Sequence, residues 1–109
     1  MTLHLPPLFA NFVDAKNAHD TKALAALFAD DAVVADEGET ITGLPAIEAW
    51  SDRVNQAYQL SVEPTAFAAG DPETVLTAIV SGTFDGSPLE FRFDFKTAGG
   101  KITALRSEA

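Results

Sequence analysis

The acidic segment Asp36-Glu37-Gly38 lies just after the apolar residues Val33, Val34 and Ala35 and could do acid–base chemistry. A carboxylate that apolar neighbours desolvate can remove a proton from a carbon next to a carbonyl group. If the segment is a strand, Asp36 shares a face with Val34 and Glu37 does not, so we expect Asp36 to face a cavity. The alternative is a solvated turn between two strands, which acidic residues before glycine also favour. The residues alone leave both interpretations open.

Trp50 and Tyr58 are the only tryptophan and the only tyrosine, and both lie in a predicted helix. Their spacing of eight residues is close to two turns, so their rings should face the same side as Val54 between them. The indole N–H and the phenol can orient a ligand by hydrogen bonding. Trp50 is equally suited to a plain core position.

Arg92 is a candidate cation for binding a carboxylate or stabilising an oxyanion. It stands in a segment where every second residue is apolar, including Phe91 and Phe93. Such alternation is typical of a strand with one core face and one solvent face, and this second interpretation sends Arg92 outward.

Helical periodicity precedes Tyr58 and strand periodicity follows it. Pro6 and Pro7 predict the start of a first helix, and Asp20 is a plausible N-cap for a short second helix that ends near Asp30 and Asp31. Leu24, Leu27 and Phe28 should share one face of that second helix. An extended segment should then run from Val33 to Ile41, and Gly43-Leu44-Pro45 should open a third helix.

Four strands are predicted within residues 59–70, 73–84, 89–97 and 101–107, separated by turns such as Gly70-Asp71-Pro72. The short connections favour an antiparallel meander. Pro64 has no backbone N–H to donate, so its strand should lie at a sheet edge or contain a bulge. We expect one α+β domain over residues 1–109, with three helices on one curved, mostly antiparallel sheet.

Composition excludes several classes of protein. With 16 acidic and 7 basic residues the formal charge is −9, which argues against nucleic-acid or anionic-membrane partners. Cysteine is absent, and His4 and His19 lack metal-ligand spacing, so we expect no metal and no other cofactor. The N-terminus has no signal-peptide pattern, which predicts a cytoplasmic protein.

The order of elements, with "D-x-x-A-L-x-x-L-F-A-D-D-A-V-V-x-D-E-G" and "G-x-x-A-I-x-x-W", resembles the SnoaL-like branch of the NTF2-like superfamily. The resemblance implies a cystatin-like cone whose sheet wraps around the helices and leaves a cavity at its open end. It also implies a homodimer formed through the outer face of the sheet. Members include ketosteroid isomerase, polyketide cyclases, dehydratases, epoxide hydrolases and non-catalytic binding modules, so fold alone does not fix function.

By this resemblance Asp36 occupies the position of the proton-shuttling carboxylate of a ketosteroid isomerase. Phe12 and Arg92 stand where such an enzyme has its two neutral oxyanion donors, so the pattern is incomplete. One hypothesis is a proton-transfer enzyme with catalytic residues Asp36, Arg92 and Tyr58. The alternatives are a non-catalytic module that binds an apolar small molecule and a structural dimer module filled by phenylalanine. The candidate ligand-binding residues are Phe12, Phe28, Trp50, Val54, Phe91 and Phe93.

Overall fold

Two helices open the chain and a third follows a β-hairpin. In the computed structural model, which describes residues 4–70 and 72–109, α1 spans Pro7–Asn17, α2 spans Thr21–Ala25 and α3 spans Leu44–Tyr58. Both α1 and α3 carry proline in their first turn, where a missing N–H costs no intrahelical bond. Asp20 caps α2, its side chain accepting a hydrogen bond from the Ala23 N–H at 3.0 Å. These three helix starts were predicted.

The strands are β1 (Phe28–Asp36), β2 (Glu39–Thr42), β3 (Ser61–Ala68), β4 (Thr74–Ser81), β5 (Leu89–Ala98) and β6 (Lys101–Glu108). They form one curved sheet in the order β2-β1-β6-β5-β4-β3. The predicted antiparallel meander is confirmed for β3 to β6. β3 is an edge strand with a register shift just after Pro64, as proline requires. The parallel pairing of β1 with β6, which extends the meander, was not predicted.

The boundaries around β1 differ from those predicted. The second helix ends at Ala25 and not near Asp30, and Phe28 already belongs to β1. The extended segment is broken by a turn at Glu37 and Gly38, where both residues have positive φ, 50° and 82°. Glycine adopts this conformation without strain, which permits the hairpin between β1 and β2. The predicted turn at residues 70–72 includes Asp71, which lies outside the described residues.

Four phenylalanines fill the space between α1 and the sheet. Phe12 packs against Phe93 and Phe95, and Phe9 packs against Phe95, with ring centroids 5.0 to 5.7 Å apart. All four rings are buried, and they fix α1 against β5 through edge-to-face contacts. Within residues 4–70 and 72–109, no helix is both long and apolar enough to cross a membrane.

Candidate functional site

A cavity of about 480 Å³ lies beside this phenylalanine cluster. Its lining comes from α1, the end of β1 and the turn after it, α3 and the residues just after it, strands β3 to β6, and the loop between β4 and β5. Most of the lining side chains on α3 and on the strands are apolar. Three carboxylates and one ammonium group are the charged groups of the lining. Apolar walls combined with a small number of polar and charged groups are typical of small-molecule sites.

Asp36 is held in the cavity wall by Trp50. The indole Nε1–H donates a hydrogen bond to Oδ2 of Asp36 at 3.0 Å. Asp36 is the last residue of β1 and lies next to the buried Ser107 of β6, while Trp50 is almost fully buried on α3. A buried indole must find an acceptor for its N–H, and here it fixes one oxygen of a carboxylate that is only partly buried.

Lys16 is one of the lining residues that the sequence analysis did not predict, and it carries the cavity's one ammonium group among the described residues. Its Nζ lies 4.9 Å from the centroid of the Trp50 ring and 5.6 Å from that of Phe12. Burial lowers the pKa of Lys16 from 10.5 to about 8, and the charge of Asp36 opposes that shift without cancelling it. A signal was present, because Lys16 falls four residues after Phe12 and so continues the apolar stripe of α1. A lysine on such a stripe must bring its ammonium group against the core.

Tyr58 forms the rim of the cavity at the end of α3. Its side chain is exposed and its ring packs edge-on against Phe84, with centroids 6.2 Å apart. The Tyr58 carbonyl accepts a hydrogen bond from the Thr83 N–H at 2.8 Å. Gly82 makes this approach feasible, because a Cβ added there would collide with the same carbonyl. The loop after β4 therefore determines where the end of α3, and with it Tyr58, is placed.

Six of the predicted site residues line one cavity. They are Asp36, Trp50, Val54, Tyr58, Phe91 and Phe93. Phe12 and Phe28 do not line it, and their predicted place in the ligand site is corrected: both are buried in the core, with 0% and 2% of their surface exposed. Phe12 is turned into the phenylalanine cluster by α1, and Phe28 starts β1 where the sequence predicted the end of a helix.

Arg92 lies on the outer face of the sheet and does not reach the cavity. Strand alternation places it opposite to Phe91 and Phe93, and 59% of its side chain is exposed. Its Nε donates to Asp94 Oδ1 at 2.8 Å, and Nη2 of Arg106 donates to Asp94 Oδ2 at 2.7 Å. Burial alone would raise the pKa of Asp94, but the hydrogen bonds from Arg106 and Arg92 outweigh it and hold the pKa below its usual value. Arg92 therefore faces outward, as the second interpretation of its strand predicted.

The cavity contains a carboxylate and an amine that both contact the indole of Trp50. Trp50 touches Asp36 through its N–H and Lys16 through its ring face. Among residues 4–70 and 72–109, no group of three or more His, Asp or Glu side chains is arranged to hold a metal ion. The groups present are suited to proton transfer and to reactions of a carbonyl group.

A family profile and several solved structures are similar to this chain. The family profile of the SnoaL-like domain matches residues 9–105. A candidate polyketide cyclase from Sinorhizobium meliloti has a similar structure, with a TM-score of 0.91 and 35% identity over 95% of each chain. A hypothetical protein with a ketosteroid isomerase-like fold from Catenulispora acidiphila, solved with trimethylamine, has a TM-score of 0.86 and 23% identity over 97% of this chain and 87% of its own.

A candidate polyketide cyclase from Pseudomonas putida has a TM-score of 0.81 and 20% identity, over 94% of this chain and 88% of its own. No curated protein matches the chain. The predicted NTF2-like fold is confirmed by these structural neighbours, two of which support fold alone. Because the family profile covers nearly the whole sequence and the Sinorhizobium protein is 35% identical, the chain belongs to the SnoaL-like domain family.

Proposed function

We propose that this protein is a proton-transfer enzyme that acts on an apolar carbonyl compound bound in the cavity. The observation on which the proposal rests is the Asp36 carboxylate, fixed by Trp50 at 3.0 Å in the wall of a cavity where apolar side chains lie beside it. A base that is held in one orientation and partly removed from water is suited to abstract a proton from carbon.

One oxygen of Asp36 accepts no hydrogen bond from the part of the chain that the structure describes. Trp50 engages Oδ2, and no hydrogen bond to Oδ1 occurs among the described residues. Oδ1 would take the proton, and the indole would keep the carboxylate from rotating away. The likeness to a candidate polyketide cyclase at 35% identity supports this class of reaction, because ring closure at a carbon next to a carbonyl requires removal of a proton from that carbon.

Exchange of α-hydrogens for deuterium tests the proposal directly. Apolar ketones such as 4-phenylbutan-2-one are incubated with the protein in D2O, and exchange is followed by NMR. Asp36→Asn should lower the protein-catalysed rate by about 10²- to 10⁴-fold, the usual contribution of a positioned general base. Asp31→Asn is the matched control, because Asp31 is exposed on the same strand and lies outside the cavity lining. Undiminished exchange in Asp36→Asn would exclude Asp36 as the base.

A non-catalytic binding module is the second candidate function. It is favoured by the apolar walls that Val62, Val80 and Phe91 contribute to the cavity, since these can hold a ligand without any reaction. Thermal-shift screening separates the two functions. A ligand that stabilises the wild type and Asp36→Asn equally, with no α-exchange in the wild type, would favour binding alone.

We further propose that two copies pair through the outer face of the sheet. Val33 is 37% exposed on that face, and Val75 and Ile79 are half-buried there in the single chain. These side chains alternate with core residues of β1 and β4, so they project away from the helices. An apolar strip of this kind on a sheet favours association with a second sheet.

A further inference from the structure

Among residues 4–70 and 72–109, no carboxylate lies within ion-pair distance of the Lys16 ammonium group. Its Nζ lies over the Trp50 and Phe12 rings, and neither a hydrogen bond nor an ion pair to it occurs among the described residues. By contrast, Lys22 and Lys101 both reach an oxygen, at 3.7 and 2.6 Å. Withdrawing an ammonium group from water without a partner costs free energy. Because Lys16 lies in a cavity, we expect the bound ligand to supply that partner.

The charges around the cavity decide what kind of partner fits. Asp36, Glu37 and Asp85 line it together with Lys16, so the lining carries three carboxylates and one ammonium group, and Asp36 is the carboxylate whose charge acts on Lys16. This field opposes a permanently anionic ligand and opposes the build-up of an oxyanion beside Lys16. It stabilises a cation instead, and so does the face of the Trp50 ring. A neutral carbonyl compound that becomes cationic on reaction satisfies both conditions.

We propose that Lys16 is a catalytic amine that forms an imine with an aldehyde or an unhindered ketone in this cavity. The inference rests on the proposed function, because it names the carbonyl compound's mode of attachment and gives Asp36 an activated substrate. Amine nucleophiles in proteins are activated by an apolar environment, which leaves part of the population uncharged. Burial holds the pKa of Lys16 at about 8, so about a tenth of the amine is free at pH 7.

The reaction balances with the groups present. The Nζ lone pair attacks the carbonyl carbon, the C–N bond forms as the C=O π bond breaks, and the oxygen takes up the proton that the nitrogen releases, which gives a carbinolamine. A second proton, taken from solvent and returned on hydrolysis, lets that oxygen leave as water, and the iminium cation forms over the Trp50 ring. Asp36 then removes the α-proton to give an enamine, which is reprotonated at carbon. Hydrolysis returns the free amine and a carbonyl product, so neither an oxidant nor a reductant is consumed.

Reductive trapping of the wild-type protein tests this proposal. The probe is 3-phenylpropanal with sodium cyanoborohydride at pH 7, and peptide mapping by mass spectrometry measures the labelling rate at each amine. Lys16 should be labelled about ten times faster than Lys22, Lys96 or Lys101, because its amine is withdrawn from water against the Trp50 and Phe12 rings, whereas these three amines are exposed. The α-amino group also titrates near neutrality, so site mapping rather than intact mass decides. Labelling of Lys16 no faster than that of the three exposed lysines overturns the imine.

Lys16→Arg separates a nucleophile from a simple cation, because arginine keeps the charge and cannot form the imine. We expect loss of α-exchange in Lys16→Arg and normal exchange in the matched variant Lys22→Arg. Exchange that persists in Lys16→Arg, or that occurs in the wild type without trapping at Lys16, overturns the imine and leaves proton transfer by Asp36 standing. Trapping at Lys16 without α-exchange supports the imine and overturns the proposed proton transfer.

Discussion

Lys16→Met should make the protein more stable at pH 7 while removing its activity. The fall in the pKa of Lys16 from 10.5 to about 8 on folding sets a ceiling of about 3 kcal/mol for the cost of keeping this lysine charged, at ~1.4 kcal/mol per pH unit. The true cost is lower than this ceiling, because Lys16 retains some solvent access and contact of its charge with the Trp50 and Phe12 rings is favourable by about 1 kcal/mol. Methionine keeps the apolar contacts, so we expect a net gain of about 1–2 kcal/mol in the free energy of unfolding.

The pH dependence of this gain follows from the direction of the shift. Between pH 8 and 10.5 the unfolded chain binds a proton that folded Lys16 has lost, so the stability of the wild type rises with pH in that window. Below pH 8 the cost is fully present. The advantage of Lys16→Met should therefore be largest at pH 7 and should shrink by more than half at pH 9.5.

Urea denaturation followed by far-UV circular dichroism at pH 7 and pH 9.5 measures both effects. Lys22→Met is the control, because 89% of the Lys22 side chain is exposed and its substitution should change stability by less than about 0.5 kcal/mol. A Lys16→Met protein that is less stable than the wild type at pH 7, or whose difference is the same at both pH values, would refute the account of Lys16 as a desolvated charge.

Three further substitutions test other parts of the structure. Trp50→Phe removes the hydrogen-bond donor to Asp36 and should lower the rate of α-exchange by about tenfold or more. Ketone binding, measured by thermal shift, should be retained, and an unchanged exchange rate would show that Asp36 needs no positioning. Asp94→Asn should cost about 1–3 kcal/mol of stability at pH 7. Because the pKa of Asp94 is lowered on folding, the difference should persist down to about pH 4 and then shrink as the pH falls through the lowered pKa. A constant difference down to pH 2 in acid unfolding would contradict this. Ile79→Lys places a cation between Glu63 and Glu90 on the neighbouring strands, so the monomer should remain folded while the proposed dimer dissociates. Analytical ultracentrifugation measures this, and an unchanged sedimentation coefficient would count against the outer face as the interface.

Local patterns were sufficient to predict most elements of this fold. Proline and the Asp20 cap predicted three helix starts, two-residue alternation predicted the strands of the meander, and Pro64 predicted an edge strand. The same rules placed Trp50, Val54 and Tyr58 on one side of α3, where all three line the cavity. These successes have one cause, since backbone conformation and side-chain direction within an element depend on nearby residues.

Boundaries were less accurate where two patterns compete. The segment around Phe28 is rich in alanine and leucine and reads as helix, yet its backbone pairs with Ile102 of β6. The tertiary partner outweighs intrinsic propensity in such a segment. Asp36 illustrates the same limit. One interpretation of the sequence made it a strand residue and the other placed it in a turn, and the structure has it as the last residue of β1, directly before the turn at Glu37 and Gly38.

Sequence periodicity was sufficient to predict which side chains share a face, whereas packing between distant segments sets what each face contacts. Asp36 and Trp50 are 14 residues apart and Lys16 precedes both, so no local period relates the three. They come together because α3 packs against β1 and α1 packs on β5 through the phenylalanine cluster. For Arg92 the burial of Phe93 and Phe95 against α1 decided which face of β5 is inner, and Asp94 then pairs with Arg92 and Arg106 on the outer face. Contacts between distant segments depend on the packing of the whole chain, and a linear pattern does not encode that packing residue by residue.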